Sequence, residues 1–229
     1  KNNIIVTASD SEEVILDNEE SLKPQIENNP KILSDSSSIK EDRIYFDMQR
    51  VKGSINLYGA TLDDVELKDH NDSISVDGKP IKVLTKEDSE KPYLIRMGWA
   101  STGNENFPDK NTLWKANKKQ FKNNEVIELT FSNKDNIKFT RRIEIDENFI
   151  FKVTDSVENK SNKAVNLTNF AYIQRRNYRP QNKFFILHEG PLGVFNETLK
   201  EVSYKELEEI GTISESSTNG WIGITDHYW

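Results

Sequence analysis

The stretch "NIKFTRRIEIDENFIFKVTDSVENKSNKAVNLTNFAYIQRR", residues 136–176, decides the fold. It holds three strand-like runs, "NIKFTRRIEID", "NFIFKVTDSVENK" and "AVNLTNFAYIQRR". The separators are Asp-Glu-Asn and Asn-Lys-Ser-Asn, residue types that favour turns through their own side-chain hydrogen bonds and tolerance of unusual backbone angles. The pattern continues upstream. Ile44, Phe46 and Met48 alternate with Tyr45, Asp47 and Gln49, the period-two signature of a strand. "INLYG" follows Gly53, and "TLDDVELKDH" places Leu62, Val65 and Leu67 on a third strand. "SISV", "PIKVL", "YLIRMGWAS" and "NEVIELTFS" complete the series, with a turn at Asp77-Gly78. Many short strands at regular spacing predict an all-β, two-sheet antiparallel β-sandwich. One or two short helices are expected beside it. The clear one is "SYKELEEIG", where Tyr204, Leu207 and Ile210 share a face and Gly211 suits a C-cap.

The chain has 229 residues, enough for a core that needs no cross-links, and no cysteine, so disulfides and thiolate metal sites are excluded. Mean hydropathy is -0.74. No run approaches the ~18 apolar residues of a membrane span, and Lys1 precedes a mixed polar segment without the apolar centre of a signal peptide. Residues 1–42 carry ten acidic and four basic side chains, most of the net charge of -7. Rich in Ser, Asp, Glu, Asn and Pro, they read as an acidic flexible linker that buries too little apolar surface to offset its ordering entropy. Within them, "NIIVTA" and "EEVIL" are short apolar islands. Residues 43–229 form the sandwich domain and are near neutral, so they offer no field for nucleic acid. The basic run "QRRNYRPQNK" is the exception singled out here: Arg175, Arg176 and Arg179 are candidate partner contacts, against the plain reading of a solvated loop.

Chemistry is sparse. A P-loop, a nucleophile elbow, a dinucleotide fingerprint and a His-Glu metal motif are absent. His70, His188 and His227 have no ligand spacing, so no metal and no cofactor are expected. Of the carboxylate pairs, Asp63-Asp64 are strand neighbours expected to point to opposite faces. Glu144 and Asp146 look solvent-facing, and Glu208-Glu209 are structural. "HEGPLG" is the most enzyme-like string, with His188 and Glu189 before a tight turn. Trp99, Trp114 and Trp221 sit in strand-like runs and are expected in the core.

The strings "INLYGATLDDVELKDH", "FFILHEGPLGVFNETLKEVSYKEL" and "GWIGITDHYW", with residues 136–175, occur in this order. Together they resemble the large periplasmic domain of the YidC membrane protein insertase family of Gram-negative bacteria, most closely its alphaproteobacterial members. The resemblance implies a supersandwich of the galactose-mutarotase-like superfamily on the periplasmic side of the inner membrane. The full-length protein would be a multi-pass membrane protein, with residues 1–42 as the tether from its first helix. It further implies a non-catalytic role in folding and insertion of inner-membrane proteins. The partners would be Sec translocon components, chiefly SecD and SecF with SecY as a further candidate. Nascent membrane proteins would be met through the membrane part, and the isolated domain is expected to be monomeric. The domain is expected to stop short of its last strands. The alternative is a carbohydrate-binding or mutarotase-like enzyme on the same sandwich, which would need an acid and a base converging in one cleft. A third option, a lipid-contacting module, needs an exposed apolar patch.

"GWIGITDHYW" could mark either a membrane-surface anchor or a strand. It lacks Lys and Arg and carries β-branched Ile222, Ile224 and Thr225, which favour a strand. The expectation is a buried strand over 221–225 with Trp221 in or against the core. Asp226 would mark its exit, and Tyr228 and Trp229 would open the next segment.

Overall fold

The computed structural model describes residues 41–74, 77–101, 106–178 and 188–225. The first strands are β1 (Arg43–Asp47), β2 (Val51–Asn56), β3 (Thr61–Asn71), β4 (Pro80–Leu84) and β5 (Tyr93–Ser101). They are followed by β6 (Lys115–Ala116), β7 (Gln120–Lys122), β8 (Ile127–Ser132), β9 (Ile137–Ile145), β10 (Phe151–Asn159) and β11 (Leu167–Arg175). The last elements are β12 (Gly190–Phe195), β13 (Thr198–Glu201), α1 (Tyr204–Ile210) and β14 (Gly220–Thr225). One seven-stranded sheet runs β11-β5-β3-β2-β1-β7, with β4 also paired to the long β3. A four-stranded sheet runs β10-β9-β8-β6. All pairings are antiparallel except β1 with β7, which is parallel. The all-β sandwich expected from the strand spacing is therefore present, with one short helix among the described residues. No helix among them is long and apolar enough to cross a membrane.

The core lies between the two larger sheets. Ile44, Phe46, Val51 and Ile55 come from the first sheet, and Ile127, Leu129, Phe139 and Ile143 from the second. All are buried, because period-two alternation sends one face of each strand inward while Tyr45 and Asp47 stay outside. Trp99 and Trp114 stack with ring centroids 6.1 Å apart, and Phe139 meets Trp99 edge-on at 5.0 Å. Both tryptophans are buried as expected. Gly53 is required by close approach: a Cβ there would meet the Asp64 carbonyl oxygen at 2.0 Å and the Phe46 ring at 2.9 Å. The run at Ser73 and Ile74 is not a strand in its described part, and Ile74 is exposed.

A third sheet, β13-β12-β14, stands beside the sandwich and was not foreseen as a separate unit. Helix α1 follows β13. Ser203 caps it by accepting from the Glu206 amide, and Gly211 closes it at φ 86. Leu207 is its buried residue, whereas Ile210 is exposed. The expected strand at the aromatic end exists, but the expected burial of Trp221 does not. Trp221 is 54% exposed. The reason is its position on β14, which pairs only with β12, so the strand lies at the edge of the small sheet rather than inside the sandwich. Register puts Trp221 beside Val194 and Val194 beside Leu199, one apolar row across three strands, with Leu199 also 54% exposed. A Cβ at Gly223 would lie 3.8 Å from both the Trp221 ring and Leu192, an ordinary contact distance, so no close approach requires glycine there. Asp226, His227, Tyr228 and Trp229 lie outside the described residues.

Candidate functional site

Most ionisable side chains that the sequence offered for chemistry are committed to structural pairs. Asp63 and Asp64 are the clearest case, and they correct an expectation. A β-bulge shifts the β2–β3 register between Ser54 and Ile55, so Asp63 is the extra residue and no longer alternates cleanly with Asp64. Both carboxylates join one network. Arg43 Nη2 pairs with Asp63, Arg43 Nε donates to Ser54 Oγ at 2.8 Å, and the Ser54 hydroxyl donates to Asp64. Burial pushes the Asp63 carboxyl above its usual range, despite the Arg43 hydrogen bond. Arg43 is held above its ordinary value: burial opposes its charge, but Asp63 and Glu41 outweigh it. Glu41 is held below 4.5, first by its hydrogen bond from Lys86 at 2.9 Å.

The other candidates disperse. Asp146 accepts from the amides of Asn148 and Ile150 and closes the β9–β10 turn, while Glu144 faces Lys152 at 3.8 Å. Glu208 and Glu209 are exposed on α1. His188 is half-buried, with Nε2 3.2 Å from the Pro191 carbonyl oxygen. His70 lies at the far end of β3 against the Phe149 ring, 6.0 Å between centroids. His227 is outside the described residues. Among the described residues, no cluster of three or more His, Asp or Glu side chains is placed to hold a metal ion.

A cleft of about 440 Å³ opens beside β10 and β11. It is lined by Trp99, Val157, Ala164, Val165 and Leu167 with the amides of Asn159 and Asn169, and its lining carries no acid or base. Asn169 is fixed there, donating to the Gly98 carbonyl at 3.2 Å and to Asp155 at 3.0 Å.

Of the arginines singled out from the sequence, Arg175 ends β11 with its guanidinium 3.7 Å from the Tyr178 ring centroid and 4.9 Å from that of Tyr93. Its Nη1 reaches the Tyr204 hydroxyl at 3.5 Å, tying the main sheet to α1. Arg176 is exposed and donates from Nη2 to the Glu87 carbonyl at 3.2 Å. Arg179 lies outside the described residues, so only Arg175 and Arg176 can be placed together.

A denser basic segment was missed. Residues 110–122 hold five lysines, Lys110, Lys115, Lys118, Lys119 and Lys122, and no acid. They are exposed along the segment that includes β6 in one sheet and crosses to β7 in the other. A running charge count would have found them.

The comparisons with known proteins agree with the geometry. The model of the YidC periplasmic domain matches residues 43–229. A membrane protein insertase YidC of Granulibacter bethesdensis is 34% identical over 82% of this chain and 34% of its own length. That of Rickettsia bellii is 30% identical over 90% of this chain and 37% of its own. That of Pelagibacter ubique is 34% identical over 86% of this chain and 36% of its own. This chain thus spans about a third of the length of these relatives. With the family model covering the whole sandwich, the chain belongs to the YidC periplasmic domain family.

Proposed function

We propose that this domain serves a membrane protein insertase as a non-catalytic accessory on the periplasmic side of the inner membrane. In this reading it docks Sec translocon components, SecD and SecF foremost, while nascent proteins are handled by the membrane part of the full-length protein. The observation that carries the reading is the match of the family model to residues 43–229. The commitment of Asp63, Asp64, Asp146 and Glu144 to structural contacts supports it, because an acid–base enzyme would need such groups directed into a cleft.

Docking of this kind is weak and uses a modest surface. The surface we favour is the face that carries the end of β11, with Arg176 as a charged contact and Arg175 holding that face to α1; Arg179, three residues further along the chain, is a second charged candidate. Salt-sensitive association would follow from exposed charges. The test is co-purification of full-length insertase with SecD and SecF after R176E/R179E. Loss of association with an unchanged melting temperature supports the surface. Unchanged association removes these arginines from it. For the enzyme reading, sugar anomerisation that disappears in H188A would replace the proposal altogether.

A further inference from the structure

We propose that the lysine-rich crossover segment of residues 110–122 is an electrostatic docking site for the acidic segment of the same chain that precedes the sandwich. The argument starts from strand direction. β1 and β7 pair in parallel, with Tyr45 beside Gln120 and Asp47 beside Lys122. Parallel neighbours enter the sheet from the same end, so the backbone leading into β1 runs alongside the backbone leading into β7. The Tyr45 amide donates to the Lys119 carbonyl at 2.9 Å, and the Leu57 amide to the Asp42 carbonyl at 2.7 Å. The acidic segment therefore joins the sandwich beside the most basic segment of the chain.

One contact of the proposed kind, and a second from a neighbouring lysine outside the basic segment, are present where the acidic segment meets the body. Lys119 Nζ lies 2.5 Å from Asp42 Oδ1, and Lys86 Nζ lies 2.9 Å from Glu41 Oε1. Lys118 is taken by Glu125. Lys110, Lys115 and Lys122 are exposed and form no ion pair among the described residues. Residues 1–42, the segment that leads into β1, carry ten acidic and four basic side chains. Charges attract across about 10 Å at 0.1 M salt, and tethering raises the local concentration of the acidic segment far above that of any free anion. Exposed lysine–carboxylate contacts are individually weak, so the attachment is a set of exchanging pairs rather than one fixed conformation.

The absence of cysteine from the whole chain makes a clean test available. A nitroxide spin label is attached at S21C of the full 229-residue chain, and paramagnetic broadening of backbone amide signals is read by NMR. Broadening of the amides of residues 115–122 is expected, with signals of β10 and β11 unaffected. The broadening should be lost at about 1 M salt, where charges are screened beyond about 3 Å. It should also be lost in K110E/K115E/K122E and in D17N/E19Q/E20Q, each with its melting temperature unchanged. No broadening on the crossover segment would overturn the proposal, as would broadening that survives salt and both charge variants. Binding of the crossover segment to phosphatidylglycerol vesicles, equally strong with and without D17N/E19Q/E20Q, would also overturn it and assign the lysines to lipid.

Discussion

Arg141 and Asp155 form a two-pronged pair inside the sandwich: Nε lies 2.8 Å from Oδ1 and Nη2 lies 2.8 Å from Oδ2. Arg141 is fully buried, and its guanidinium sits 5.6 Å from the Trp99 ring centroid and 5.5 Å from that of Trp114. Asp155 also accepts from Asn169, so the pair joins β9, β10 and β11 and hence both large sheets. A buried pair of this kind costs desolvation on both sides, and its attraction is offset accordingly. Removing one partner strands the other. D155A should therefore lose about 3–5 kcal/mol, because Arg141 is left charged and enclosed. R141M/D155L should recover most of that loss. Urea denaturation midpoints check the order, and a double variant less stable than D155A would contradict it.

Glu66 gives the acid limb of stability its sign. Burial alone would raise its carboxyl, but Lys82 and Lys52, each at 3.2 Å, outweigh that and hold it below 4.5. The native state then releases this proton more readily than the unfolded chain. Its stabilising contribution is present above pH 4.5 and is lost as pH falls through the lower native value. E66Q should flatten the decline of the melting temperature below that pH while leaving the profile near neutrality parallel. An identical acid limb in wild type and E66Q would show that Glu66 is not part of it.

The two tryptophan environments predict different costs. Trp114 is buried against Trp99 and Phe131, so W114A should cost about 3–5 kcal/mol. Trp221 is half-exposed on an edge strand, so W221A should cost less than about 1.5 kcal/mol, nearer the range of surface changes. Equal losses in the two variants would mean that the Trp221 face is covered in solution.

The sandwich was legible because most of its strands alternate: Ile44 and Phe46 announce β1, Met48 follows just beyond it, and all three are buried. The helix was legible for a different reason, the helical spacing of Tyr204, Leu207 and Ile210 before a terminal glycine, while its serine cap emerged only in the structure. Trp221 was misjudged because apolar residues on both sides of a strand look the same whether the strand is enclosed or lies at an edge. Only the pairing partner decides, and pairing is a long-range property. Asp63 and Asp64 were misjudged because a bulge breaks period-two counting, and nothing local in "TLDDVEL" marks it. The buried role of Arg141 was equally hidden, since "TRRIE" does not say which arginine turns inward until register with Asp155 is known. The lysines of residues 110–122 were visible in the sequence and were overlooked beside the arginine run.

The proposed docking role is tested most directly by site-specific photocrosslinking in the full-length insertase, with a photoreactive residue placed at Arg176 and, for comparison, at the exposed Ile74. The account predicts adducts with SecD or SecF from position 176 and none from position 74. Adducts from position 74 alone, or none with any Sec component from either, would contradict it.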